Sequence, residues 1–165
     1  MTRTFEYKLF ADYHQFYLQD EGVEGNLGDS WTPEAVARDL AVATGTIGVG
    51  TIRDATVPVV VEIADSNPDD DLNNWDQVTE CSIDVPSGRI VVAGCTDYFP
   101  DAARIDVPPG SYRARIYSGN LSSVSDDGLD GDDYYRVTLW SAPPGPILVL
   151  KPYRGTSSSP ASGRS

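Results

Sequence analysis

Residues 4–20 read TFEYKLFADYHQFYLQD, and the fold turns on how this stretch is broken. Apolar and polar side chains alternate along it, which is the period of a half-buried β-strand. It forms either one long strand or two strands joined at Ala11–Asp12. It also carries His14, the single histidine of the chain. On a strand, His14 shares a face with Phe16 and Leu18, while Tyr13, Gln15 and Tyr17 point the other way. That places His14 among packed residues rather than in a proton relay.

Strand signals continue outward from there. TGTIGVGTI (44–52) and VPVVVEIAD (57–65) are rich in β-branched residues, as buried strands are. QVTECSIDV (77–85) and RIVVAG (89–94) flank a Pro-Ser-Gly turn. ARIDV (103–107) and SYRARIYSG (111–119) flank Pro-Pro-Gly. YYRVTLWSA (134–142) and PILVLKPY (146–153) close the series. Eight to ten short strands separated by turn residues predict an all-β, antiparallel β-sandwich with one short helix. The segments IDVPSGRIVVAG and IDVPPGSYRARIYSG echo each other as strand–turn–strand units, with Pro presetting φ and Gly permitting a positive φ. Two such units do not make a repeat protein.

The helix is expected in SWTPEAVARDLAVATG (30–45). Thr32 suits the N-cap, and Pro33 suits the first helical position, where its missing N–H is harmless. Glu34 complements the positive helix start. Val36, Leu40 and Ala43 recur at helical spacing, and Gly45 can end the segment, giving a helix of about ten residues. Residues 1–153 then form one sandwich domain. The Ser-rich segment RGTSSSPASGRS (154–165) is expected to be a disordered tail.

Charge narrows the function. The chain has 25 acidic residues against 12 basic ones, a formal net charge of −13. Binding nucleic acid requires neutralising phosphates with Lys and Arg, so the balance argues against a nucleic-acid partner. It equally disfavours an anionic membrane surface. A basic protein partner, cation binding or plain solubility remain. No apolar run approaches the ~20 residues of a membrane span, and the start MTRTFEYKLF lacks a signal-peptide core. A cytoplasmic location is expected. Cys81 and Cys95 flank the VPSGR turn and can face each other across a hairpin, although a reducing cytosol disfavours a disulfide. With one histidine they do not complete a four-ligand zinc set, and no cofactor is called for.

No Gly-x-Ser-x-Gly elbow and no Gly-rich phosphate loop with a lysine is present. A Ser–His–Asp triad would have to use His14, and a pair of carboxylates as in glycosidases is not singled out. The reading is therefore of a protein without a catalytic site. Two loops stand out instead. NPDDD (67–71) and SDDGLDGDD (125–133) concentrate eight aspartates. They can be solvated loops, calcium-chelating loops at a sandwich end, or an anionic patch for a basic protein. The second loop lacks the EF-hand register and its closing Glu. As partner-binding residues the sequence offers Asp126, Asp127, Asp130, Asp132 and Asp133. Trp75 joins them, because in the polar segment DLNNWDQ it is the least core-like of many aromatics.

A resemblance sharpens this. YHQF (13–16), WTPEA (31–35), Gly45 and IGVGTIR (47–53) look like the bacterial competence protein J family. So do VPSGRI (85–90) and FPDAARIDVPPGSYRAR (99–115), the latter carrying an apolar-Pro-x-Gly-x-Tyr turn at Val107, Pro108, Gly110 and Tyr112. The order and spacing agree over residues 8–118. The resemblance implies a small intracellular β-rich protein that binds and inhibits a DNA-uptake nuclease, or an immunity-type protein beside a toxin. Residues 118–133 look like an insertion relative to the family, and the strands after them extend past the match. No family binding residues map onto this sequence.

Overall fold

The structure is a computed structural model, and it describes residues 2–23, 27, 29–68, 72–94 and 99–153. The chain runs through β1 (Arg3–Phe10), β2 (Gln15–Asp20), α1 (Pro33–Arg38), β3 (Leu40–Ala43), β4 (Thr46–Gly50) and β5 (Thr56–Ala64). It continues through β6 (Gln77–Val85), β7 (Arg89–Gly94), β8 (Ala103–Asp106), β9 (Gly110–Gly119), β10 (Tyr134–Ser141) and β11 (Leu148–Lys151). Six strands form one sheet in the order β1-β5-β10-β9-β6-β11, and five form the other in the order β3-β4-β2-β7-β8. The result is the expected all-β sandwich. Strands pair antiparallel except for β5 with β10, which run parallel. A parallel pair needs a long crossover, and here β6 to β9 lie between the two strands in sequence.

The two-strand reading of residues 4–20 holds, because β1 and β2 belong to different sheets. The transfer happens over Ala11–His14. Tyr13 and His14 take left-handed backbone angles, φ 58° and 61°, before Gln15 returns to extended geometry. Crossing over requires Gly94: a Cβ there would collide with the Phe10 carbonyl oxygen.

Between the sheets the core follows the alternation. Val57, Val59, Val61 and Ile63 of β5 point inward, with Tyr135, Val137 and Leu139 of β10 beside them. Phe16, Leu18, Ile47, Val49, Ile90 and Ile105 meet them from the five-stranded sheet, nearly all without exposed surface. Cys81 sits in this layer as a free thiol, and burial pushes it up to about 12. Cys95, its suggested partner, lies outside the described residues, as does the tail from Arg154.

The helix departs from expectation. Its start is as read: the Ala35 N–H donates to Thr32 Oγ1 at 3.2 Å, and Pro33 opens the first turn. It stops at Arg38, where Asp39 turns left-handed at φ 56°. Leu40–Ala43 is a strand paired with β4, not a helical continuation. The segment LAVA satisfies either period, and the backbone partners offered by β4 decide it. Leu40 enters the inter-sheet core, while Ala41 faces the helix with Ala35 and Leu27. Gly45, at φ 60°, serves the β3–β4 turn rather than a helix end.

The outer face of the six-stranded sheet is polar yet covered. Glu62, Thr138, Arg115 and Glu80 lie in one cross-strand row. Glu80 accepts from Arg113 at 2.8 Å and from Arg115 at 3.0 Å, and all three side chains are at most 10% exposed. Such pairs supply register more dependably than net stability.

Candidate functional site

At the start of β2 the left-handed pair Tyr13–His14 forms an exposed knuckle. Non-glycine residues in this region carry a conformational cost and persist where surroundings fix them. Here the His14 N–H donates to the Ala11 carbonyl at 3.0 Å, and the Thr51 N–H donates to the His14 carbonyl at 2.8 Å. The Tyr13 N–H points at the carboxylates of Asp12 and Asp54, 3.1 Å from each. His14 is therefore not packed beside Phe16 and Leu18. The knuckle breaks the alternation just before the strand begins, and the ring lies at the surface with Nδ1 3.1 Å from the Ile52 carbonyl. A carbonyl only accepts, so Nδ1 carries the proton in that contact. Tyr13 is 68% exposed.

The knuckle forms one wall of an open groove of about 670 Å³. Trp31 and Asp39 bound it from the helix side, Thr51 and Ile52 from the end of β4, and Ser125–Gly128 from the Asp-rich loop. Trp31 is oriented by its Nε1–H, which donates to Gln15 Oε1 at 2.9 Å. Gly48 lets it approach: a Cβ there would stand 3.0 Å from the indole and 2.6 Å from Leu27. Gly128 lies under His14, its missing Cβ 3.6 Å from His14 Cε1. The Asp54 N–H donates to the Gly128 carbonyl at 2.8 Å, which ties the loop to the groove floor.

The Asp-rich loop is a bonded turn. Asp127 accepts from Ser125 Oγ at 2.5 Å and from the Leu129 N–H at 3.0 Å. These two contacts, the hydroxyl first, hold its carboxyl below the usual aspartate value. Ser123 Oγ accepts the Asp132 N–H at 2.8 Å. The side chains of Asp126, Asp127, Asp130 and Asp132 are on the surface, and none forms an ion pair among the described residues.

Asp133 is different, and the expectation of an exposed loop residue is corrected here. It has no exposed surface and pairs with Arg53, Nε to Oδ1 at 2.7 Å. Its other oxygen accepts the Tyr135 hydroxyl at 2.6 Å, and that hydroxyl accepts the Ile52 N–H at 2.9 Å. Burial, followed by the neighbouring carboxylate, drives the Tyr135 pKa well above its ordinary value. Asp133 thus anchors the loop and the groove floor to the core instead of facing a partner.

Trp75 is likewise corrected, being 8% exposed. It packs against Tyr117 and Tyr134, each with centroids at 5.1 Å, and under Arg136, whose guanidinium lies 4.9 Å from its ring. Asp69–Asp71 of the NPDDD segment lie outside the described residues. Among the described residues no three His, Cys, Asp or Glu side chains gather to hold a metal ion, so the calcium reading gains nothing from the 125–133 loop.

Chemically, the groove offers aromatic surface and carboxylates. His14, Ser125 and Asp127 all line it. Ser125 donates directly to Asp127, and His14 bonds to neither. Sequence reasoning did not select Trp31 or Asp39, nor the exposure of Tyr13 and His14. WTPEA marked a helix start, but nothing local indicated that it faces the loop some 95 residues later.

No protein-family model matches the chain, and no curated protein matches it. Two solved structures do. ComJ from Bacillus subtilis, described as the inhibitor of the DNA-degrading activity of NucA, superposes with a TM-score of 0.68 at 20% identity, over 86% of this chain and 99% of that one. The protein of crocagin biosynthetic gene J superposes with a TM-score of 0.61 at 22% identity, over 87% of this chain and 99% of that one. The chain has a ComJ-like fold. Among the described residues no helix is long and apolar enough to cross a membrane.

Proposed function

We propose that this chain binds a basic protein and restrains it, as a nuclease inhibitor or as an immunity-type partner of a toxin inside the cell. The observation that carries the reading is the end of the sandwich where four aspartates stand on a bonded loop and pair with no cation among the described residues. A nuclease that grips DNA presents Lys and Arg to phosphate. An acidic protein can occupy the same cationic cleft and exclude substrate. Complementary charge would speed encounter and select the partner, while buried contacts would set its residence time. The likeness to an inhibitor of a DNA-degrading enzyme supports this reading. Inhibition of this kind requires no chemistry from the chain itself.

The test is to immobilise the chain and pass over it an extract of its own cells. The retained fraction, eluted at high salt and returned to low salt, should degrade plasmid DNA, and adding back the chain should suppress that activity. Retention of no DNA-degrading activity or toxin would overturn the reading.

A further inference from the structure

We infer that the groove between the Tyr13–His14 knuckle and the 125–128 loop receives an arginine side chain of the partner. The inference rests on the binding role proposed above and names its contact point. Three independent features converge on this groove. First, it is a true concavity of about 670 Å³ rather than a flat acidic patch. Secondly, its walls are aromatic. Trp31 is fixed in orientation by Gln15, and Tyr13 is 68% exposed on a backbone that cannot easily relax. Thirdly, Asp39, Asp126 and Asp127 face it, and no Lys or Arg is among its described lining residues.

A guanidinium matches this combination better than an ammonium. Its flat faces stack on aromatic rings, and its edge N–H groups reach several carboxylates at once. A lysine gains the charge attraction but not the planar fit. The exposed aromatics would supply the desolvated centre of the contact and the aspartates its polar rim.

The test uses the full-length 15N-labelled chain and two probes, hexa-arginine and hexa-lysine peptides, at low salt. Hexa-arginine should shift the Trp31 indole N–H and the Gly128 and Thr51 amides first. It should bind more tightly than hexa-lysine. Asp126→Asn with Asp127→Asn should weaken it by about tenfold, the scale of losing a charge-assisted hydrogen bond. Tyr13→Asn should also weaken it, and Asn tolerates the left-handed backbone at this position, so the fold is kept. Equal binding of the two peptides would overturn the inference. So would shifts spread over Glu6, Asp84 and Asp106 with the groove no more affected, or unchanged affinity in Tyr13→Asn. No nuclease enters this experiment. A failure here with inhibition intact moves the contact elsewhere and leaves the proposed function standing.

Discussion

Strand β2 connects two acidic ends of the molecule that are built in opposite ways. At its C-terminal end, carboxylates are used internally. Asp20 accepts the Ser87 N–H at 3.0 Å, the Ser87 hydroxyl at 2.6 Å and the Gly22 N–H at 2.9 Å. Glu21 meets Arg104 at 2.6 Å and Arg89 at 3.5 Å, and Arg89 meets Asp106 at 3.0 Å. At its N-terminal end Arg53 is committed to the buried Asp133, and Arg38 donates to the Leu40 carbonyl at 2.9 Å. Of the surface aspartates of the 125–132 loop, Asp127 accepts from a hydroxyl and a backbone N–H, and none of the four pairs with a cation among the described residues. A net charge of −13 therefore describes two different things. One end holds turns together, and the other leaves its negative potential facing solvent, where a partner can meet it.

The largest effect is expected at Asp133. Asp133→Ala takes from Arg53 its ion-pair partner and from the buried Tyr135 hydroxyl its acceptor, and breaking a buried ion pair costs about 3–5 kcal/mol. Because Arg53 keeps some solvent contact, the lower end of that range is expected in urea unfolding. A loss well under 1 kcal/mol would mean that Asp133 does not anchor the loop. The next effect is on binding rather than stability. Replacing Asp126, Asp127, Asp130 and Asp132 by Asn should weaken the partner complex at least about tenfold and flatten its salt dependence. Glu21→Gln, at the other end, should leave affinity unchanged. The reverse pattern would place the interface at the paired end. Smaller still is Thr32→Ala, which removes the cap of the helix behind Trp31 and should lower stability by about 1 kcal/mol. Smallest of all, Arg89→Ala should leave the thermal midpoint unaltered, since Arg89 and Asp106 are exposed, Glu21 keeps its contact with Arg104, and surface pairs contribute little.

Much of the sandwich was legible because β-strands with one buried face announce themselves by alternation, as Val57, Val59, Val61 and Ile63 do. Thr32–Pro33 likewise announced the helix start through local capping chemistry. What escaped the sequence depends on distant neighbours. Leu40–Ala43 fits a helix or a strand by spacing, and pairing with β4 settles it. The left-handed turn at Tyr13–His14 has no Gly or Asn to signal it, since its geometry comes from Asp54, Thr51 and Ala11. Asp133 reads like its loop neighbours until Arg53, 80 positions earlier, is seen beside it. Trp75 sits in polar sequence but is enclosed by Tyr117, Tyr134 and Arg136. The candidate groove was half visible: its acidic rim could be read, and its aromatic walls could not.

The most direct measurement titrates the DNA-degrading activity retained from the chain's own cells with two proteins. One is the wild-type chain, and the other carries Asn at positions 126, 127, 130 and 132. The wild type should suppress the activity stoichiometrically, and the variant should need at least about tenfold higher concentration. Undiminished DNA degradation with the wild type, or equal potency of the two chains, would contradict this.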